Sequence, residues 1–151
     1  MLKFNENGYL EPFEGITTEL EIAKNAFTFN EHRITIWSHF ENFITELQNL
    51  FQNDFSIWLN GSFTTKKEFP NDLDCVIFID FKIYGILERD LQKFKELQYK
   101  KENYLDIYFV KTYPKGHKNK IFEDFDVIEW FSLFTKTREK NVKKGFLQLN
   151  F

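Results

Sequence analysis

The chain has one cysteine among its 151 residues, which excludes an internal disulfide framework. That residue, Cys75, lies in an apolar strand-like run and reads as a small buried hydrophobe rather than a catalytic thiol. Prolines are scarce too, three in all, and neither an internal repeat nor a low-complexity block interrupts the chain. Apolar runs are short. Nothing approaches the roughly 18 residues that a membrane-spanning helix needs, so no membrane partner is expected. The segment Met1-Leu-Lys-Phe-Asn-Glu-Asn7 lacks the apolar stretch of a signal peptide, and a cytoplasmic location is expected. Nor is there much net charge: a balance of −3 excludes a generic polyanion binder.

Aromatic rings are what the chain has in excess. They make up 19% of the residues, with 20 Phe, and that much ring surface points to a packed globule rather than a disordered chain. The length suits a single domain. Charge is uneven along it. Residues 1–54 hold nine acids against Lys3, Lys24 and Arg33. Residues 98–120 hold six lysines (Lys100, Lys101, Lys111, Lys115, Lys118 and Lys120) against Glu102 and Asp106. Residues 136–144 hold Lys136, Arg138, Lys140, Lys143 and Lys144 against Glu139. Two basic segments on a mildly acidic chain suit an anionic ligand or a nucleic acid, and solvated loops equally well.

Local pattern predicts an α/β (α+β) two-layer sandwich, a mixed sheet with helices mainly on one face. Residues 1–16 read as an irregular arm. Thr18-Glu-Leu-Glu21 fits a capping box for a short helix to about Ala26. Asn30 is placed to cap the clearest helix, on which Trp37, Phe40, Ile44, Leu47 and Phe51 form one apolar stripe. Phe55–Leu59 alternates as a strand that ends at Gly61-Ser62, and residues 63–71 form a connection with room for a short helical turn. Leu73–Asp80 is an apolar strand expected near the middle of the sheet. Residues 85–98 predict a helix with Ile86, Leu87, Leu91, Phe94 and Leu97 or its neighbour on one face. A third strand, Tyr104–Val110, leads through a Pro/Gly/Lys loop to the helix Ile121–Phe134, apolar on most sides, and Gly145–Phe151 closes the sheet. One domain results: an arm and helices over 1–54, a core over 55–110, and a closing helix and strand over 111–151.

The chemistry concentrates in carboxylates. Asp72 and Asp74 stand two apart at the entry of a strand, so their side chains share a face. Asp106 takes the same kind of place in the third strand, between Leu105 and Ile107. If those strands adjoin, three like charges converge, and each resists ionisation without a cation among them. A hard divalent ion, Mg2+ or Mn2+, is the natural partner. Gly61 and Ser62 supply a complement, since glycine lets a backbone amide approach phosphate and a serine hydroxyl can donate to it. Lys66 and Lys67 are the nearest side chains able to neutralise leaving phosphate. Other candidates carry less: His117 reads as an exposed loop residue, His32 and His39 as structural, and Tyr108 shares the face of Asp106, where it can stack on a base or simply pack.

Gly61-Ser62, then Asp72-Leu-Asp74, then Leu105-Asp106-Ile107, resembles the signature of the DNA polymerase β-like nucleotidyltransferase superfamily. The fuller string, with Phe63, Lys67 and Pro70, resembles a branch of small bacterial nucleotidyltransferase-like proteins of unknown function. Asn5-Glu-Asn-Gly-Tyr-Leu10 and Lys144-Gly-Phe-Leu-Gln-Leu149 extend that likeness over nearly the whole chain. The resemblance implies that Gly61 and Ser62 bind the triphosphate of an NTP and that Asp72, Asp74 and Asp106 hold two metal ions. It also favours Lys67 over Lys66. The expected reaction is transfer of NMP to a hydroxyl of RNA or of a cognate protein, as in toxin–antitoxin or phage-defence systems. The apolar 121–134 helix would serve a homo-oligomer or a partner protein. Thr64 and Thr65 depart from the pattern, standing where many small members place Arg or Lys. The alternative expectation is a nucleotidyltransferase fold kept as a binding module with weak or no catalysis.

Overall fold

The computed structural model describes residues 1–97 and 104–151. The predicted sites of Lys100, Lys101 and Glu102 lie outside them. Two short strands, β1 (Lys3–Phe4) and β2 (Leu10–Glu11), pair as a small antiparallel sheet. β3 (Gly15–Thr17) follows, then the helices α1 (Leu20–Phe27) and α2 (Glu31–Phe51). The rest of the chain runs β4 (Ser56–Asn60), β5 (Leu73–Asp80), α3 (Phe81–Leu97), β6 (Leu105–Thr112), α4 (Lys120–Phe134) and β7 (Phe146–Asn150). The main sheet is mixed, in the order β3-β7-β4-β5-β6, with β3–β7 and β5–β6 parallel and the other pairs antiparallel. This is an α+β fold.

Strand alternation divides the core in two. Leu73, Cys75, Ile77 and Ile79 of β5 point to one face, where they meet Leu105 and Ile107 of β6 and the stripe Ile36, Trp37, Phe40, Phe43, Ile44 and Leu47 of α2. α1 and α3 pack on that same face. On the other face Val76, Phe78, Val110 and Phe146 meet only α4, through Phe134, Trp130 and Val127. Three helices therefore cover one face and one covers the other.

Several local expectations change. The first residues are not an irregular arm: β3 joins the main sheet, beside β7. Asn30 caps α2 by accepting from the amide of Arg33, as the sequence suggests. At α1, by contrast, Glu19 is the cap residue and no side chain caps the helix, so the capping box does not form. The connection 63–71 holds turns and a bridge but no helical segment. α3 begins four residues early because the Asp80 carboxylate accepts from the amides of Lys82 and Ile83. Ile86 faces outward, at 81% exposure, and Ile83, Tyr84, Leu87, Leu91 and Phe94 lie against the core. On α4, Ile121, Phe122, Phe125, Ile128, Phe131 and Leu133 all face outward, exposed by 43–66%. No helix among the described residues is long and apolar enough to cross a membrane.

Candidate functional site

β4 ends at Asn60, and the chain turns at Gly61 with φ +83°, a conformation that favours glycine. Register then does the assembling. Antiparallel pairing sets Asn60 beside Asp74, and parallel pairing sets Asp74 beside Asp106, all on the α4 side of the sheet. Asp74 is 8% exposed. A Cβ on residue 61 would lie 1.9 Å from Asp74 Oδ2, so glycine is required by close approach as well as by backbone. Asp72, just before β5, stands near enough to raise the pKa of Asp74.

Burial, then the neighbouring charge of Asp72, pushes Asp74 up to about 6. Burial and the charge of Asp106 push Asp72 up in the same direction. Asp106 Oδ2 accepts from the Tyr108 hydroxyl at 2.8 Å, and burial with that bond pushes Tyr108 up to about 12. Tyr108 thus orients a carboxylate while its ring packs on Trp130. The only ion pair to Asp74 among the described residues is with Arg138, at 3.5 Å, whose side chain is 86% exposed. Such a contact neutralises weakly.

No three His, Cys, Asp or Glu side chains among the described residues already converge as a metal cage. The donor set nonetheless suits a hard divalent cation: its ligands are all carboxylate oxygens, with Asp74 buried and Asp72 and Asp106 half-buried.

The loop from Gly61 to Asp72 is fastened from several sides. The first turn of α2 holds it with three side chains. Asn30 donates to the Glu68 carbonyl at 2.9 Å, and His32 Nε2 meets the Pro70 carbonyl at 2.6 Å. Arg33, fully buried, donates to the carbonyls of Phe27, Phe63 and Lys67. The N-terminal arm adds a bond from the Lys66 amide to the Gly8 carbonyl and a bridge between Tyr9 and Thr65.

A cleft of about 930 Å³ opens over this loop. Gly61, Ser62, Lys66, Lys67, Asp72 and Asp74 all line it; Asp106 does not. Opposite them stand Asn5–Tyr9 of the arm, Trp130 and Leu133 of α4, and the basic segment 136–144. Lys66 is a cleft residue whose ammonium is engaged elsewhere, 4.1 Å from the Phe4 ring centre and 3.3 Å from the Ala26 carbonyl. Thr64 and Thr65 are buried, their hydroxyls bonded to Asn60, Gly61 and Ser62. His117 is remote from the cleft, stacked with Tyr113 and Phe81 beyond the other end of β6. His39 packs on Tyr104. Of the described lysines of the first basic segment, Lys111 stands near the far end of β6 from Asp106 and Lys115, Lys118 and Lys120 follow it, and none of the four lines the cleft.

Sequence reasoning missed Arg33, Arg138 and Lys144 as site residues. For Arg33 a signal existed: it stands four residues before Trp37 and so continues the buried stripe. For Arg138 only a charge run was visible; Lys144 stood in that run and also in the Lys144–Leu149 string of the resemblance, without a role assigned to it.

A family model described as "Family of unknown function (DUF6932)" matches residues 2–150, and the chain belongs to that family. No curated protein and no solved structure matches it.

Proposed function

We propose that this member of a family of unknown function is a metal-dependent nucleotidyltransferase that moves NMP from an NTP to a hydroxyl of a partner protein. One observation carries the reading: the left-handed Gly61 lies against buried Asp74, which pairs in register with Asp106. A phosphate-approaching backbone and neighbouring carboxylates are the two halves of such a site.

Asp72, Asp74 and Asp106 would hold Mg2+ or Mn2+, which when bound neutralises the triphosphate and acidifies the acceptor hydroxyl. Gly61 and Ser62 seat the phosphates at the floor of the cleft. Asp106, oriented by Tyr108, takes the proton of the acceptor hydroxyl. The acceptor oxygen forms a bond to the α-phosphorus, the α–β phosphoanhydride bond breaks, and pyrophosphate leaves carrying the electron pair.

Leu133 favours a protein acceptor over RNA. It lines the cleft and also belongs to the outward apolar face of α4, so a protein docked on that face reaches the reacting centre. Asp124, Asp126 and Glu129 on the same helix suit a partner whose apolar contact is flanked by basic residues. RNA would require a continuous basic track, and the described lysines of the first basic segment do not line the cleft.

Incubating the protein with labelled NTPs, Mg2+ and cell lysate tests this directly. Label should enter a protein, require the metal and be lost with Asp74→Ala. Label on RNA would move the acceptor assignment, and no Mg2+-dependent label on anything would sink the reading.

A further inference from the structure

The loop that carries Gly61 and Ser62 brings one cation, Lys67, to the cleft near Asp72. Thr64 and Thr65 are buried with their hydroxyls spent, and the ammonium of Lys66 is held over Phe4. Further cations at the cleft come from the other end of the chain. After α4, residues 135–144 fold back as a narrow turn. Thr137 N donates to the Val142 carbonyl, Lys136 bridges Lys143, and Lys144 N donates to the Thr135 carbonyl. This turn places Arg138 beside Asp74 and Lys144 beside Gly61.

Lys144 is the informative residue. It is 5% exposed, yet it lines the cleft. Its Nζ donates to the Gly61 carbonyl at 2.9 Å, and it has no other hydrogen bond and no ion pair among the described residues. An ammonium has three donors, so two are left without a protein acceptor. Burying such a group is costly unless an anion completes it, and burial lowers its pKa to about 8, offset only in part by the nearby charge of Asp74. A lysine kept here against that cost fits a site whose anion arrives with the ligand.

We propose that Lys144 and Arg138 form the polyphosphate subsite, taking the role that Thr64, Thr65 and Lys66 leave open. This rests on the nucleotidyltransferase reading for the identity of the ligand. Lys144 fixes the phosphate nearest Gly61 and stays with pyrophosphate as it leaves. Arg138, on the exposed tip of the turn, swings from Asp74 onto the distal phosphates.

The test is calorimetric titration with ATP, ADP, AMP and inorganic pyrophosphate, each with Mg2+, on wild type, Lys144→Gln and Arg138→Gln. Both variants should weaken ATP and pyrophosphate at least tenfold and change AMP less than twofold. Arg138 is exposed, so its variant reports even if Lys144→Gln does not fold. Equal weakening of ATP and AMP, or no change for ATP and pyrophosphate, overturns the subsite. Wild type that binds none of these ligands overturns both proposals. Pyrophosphate binding that depends on Lys144, without label transfer in the lysate experiment, keeps the subsite and removes the nucleotidyltransferase reading.

Discussion

Gly61 and Asp74 share one volume: the Asp74 carboxylate fills the space where a side chain on residue 61 would begin, 1.9 Å from the Cβ position. Gly61→Ala meets both that contact and a φ of +83°. The expected cost is about 2 kcal/mol or more in stability, with nucleotide binding lost because Asp74 must move. Chemical denaturation and nucleotide titration of the variant check this; an unchanged melting midpoint would refute the contact.

The metal-free protein should lose stability as pH rises through the range where Asp74 ionises. Its folded pKa of about 6 lies above the ordinary 3.8, so the fold favours the protonated acid. The penalty is absent below about pH 4 and fully present above about pH 6. It amounts to at most about 3 kcal/mol. Asp74→Asn should flatten this slope. Urea unfolding in EDTA at pH 4 and 7.5 measures it, and equal slopes for wild type and variant would contradict the assignment.

Arg33 is expected to be the costliest polar substitution. Arg33→Met leaves the carbonyls of Phe27, Phe63 and Lys67 without their buried donor. A loss of about 3–5 kcal/mol follows. Arg33→Lys should not rescue it, because one ammonium cannot reach three carbonyls set around a planar fork. Thermal unfolding of the two variants decides.

The two sides of α4 should respond oppositely. Phe125→Ser and Ile128→Ser change residues exposed by 63% and 66%, and each should move stability by no more than about 0.5 kcal/mol. Phe134→Ala empties a buried site against Phe146 and Trp130 and should cost about 3 kcal/mol. If α4 docks the acceptor protein, the two serine variants should also lose label transfer while binding nucleotide normally. Retained transfer would place the acceptor elsewhere.

The sheet strands and α2 were legible because their signals are local. Alternation marked β4, an apolar run marked β5, and a stripe with Asn30 ahead of it marked α2. The carboxylate pair could be read from spacing, and the third member followed from strand parity once β5 and β6 adjoin. What escaped depends on contacts distant in sequence. Nothing near Gly15 says that it will pair with Phe146, and nothing near Lys144 says that it will reach Gly61. Ile86 misled because it stands about 100° round the helix from Leu87, outside the stripe of Ile83, Tyr84, Leu87, Leu91 and Phe94 that meets the core. α4 was expected to be apolar on most sides and to serve a partner, and only Phe134 on it is buried.

The position of β7 has a consequence for how the molecule folds. β3 reaches the sheet only through β7, and Thr17 bonds Gln148 across a separation of 131 residues. β7 also supplies the second neighbour of β4, directly before the Gly61 turn. Closing so large a loop is slow, because most of the chain's entropy is lost before the pairing repays it. Until that strand inserts, β4 has one open edge, β3 has no partner, and the turn carrying Lys144 has no fixed place. Ligand binding should therefore appear late in refolding, in the slowest phase and together with the last gain of sheet signal, rather than with the early formation of α2.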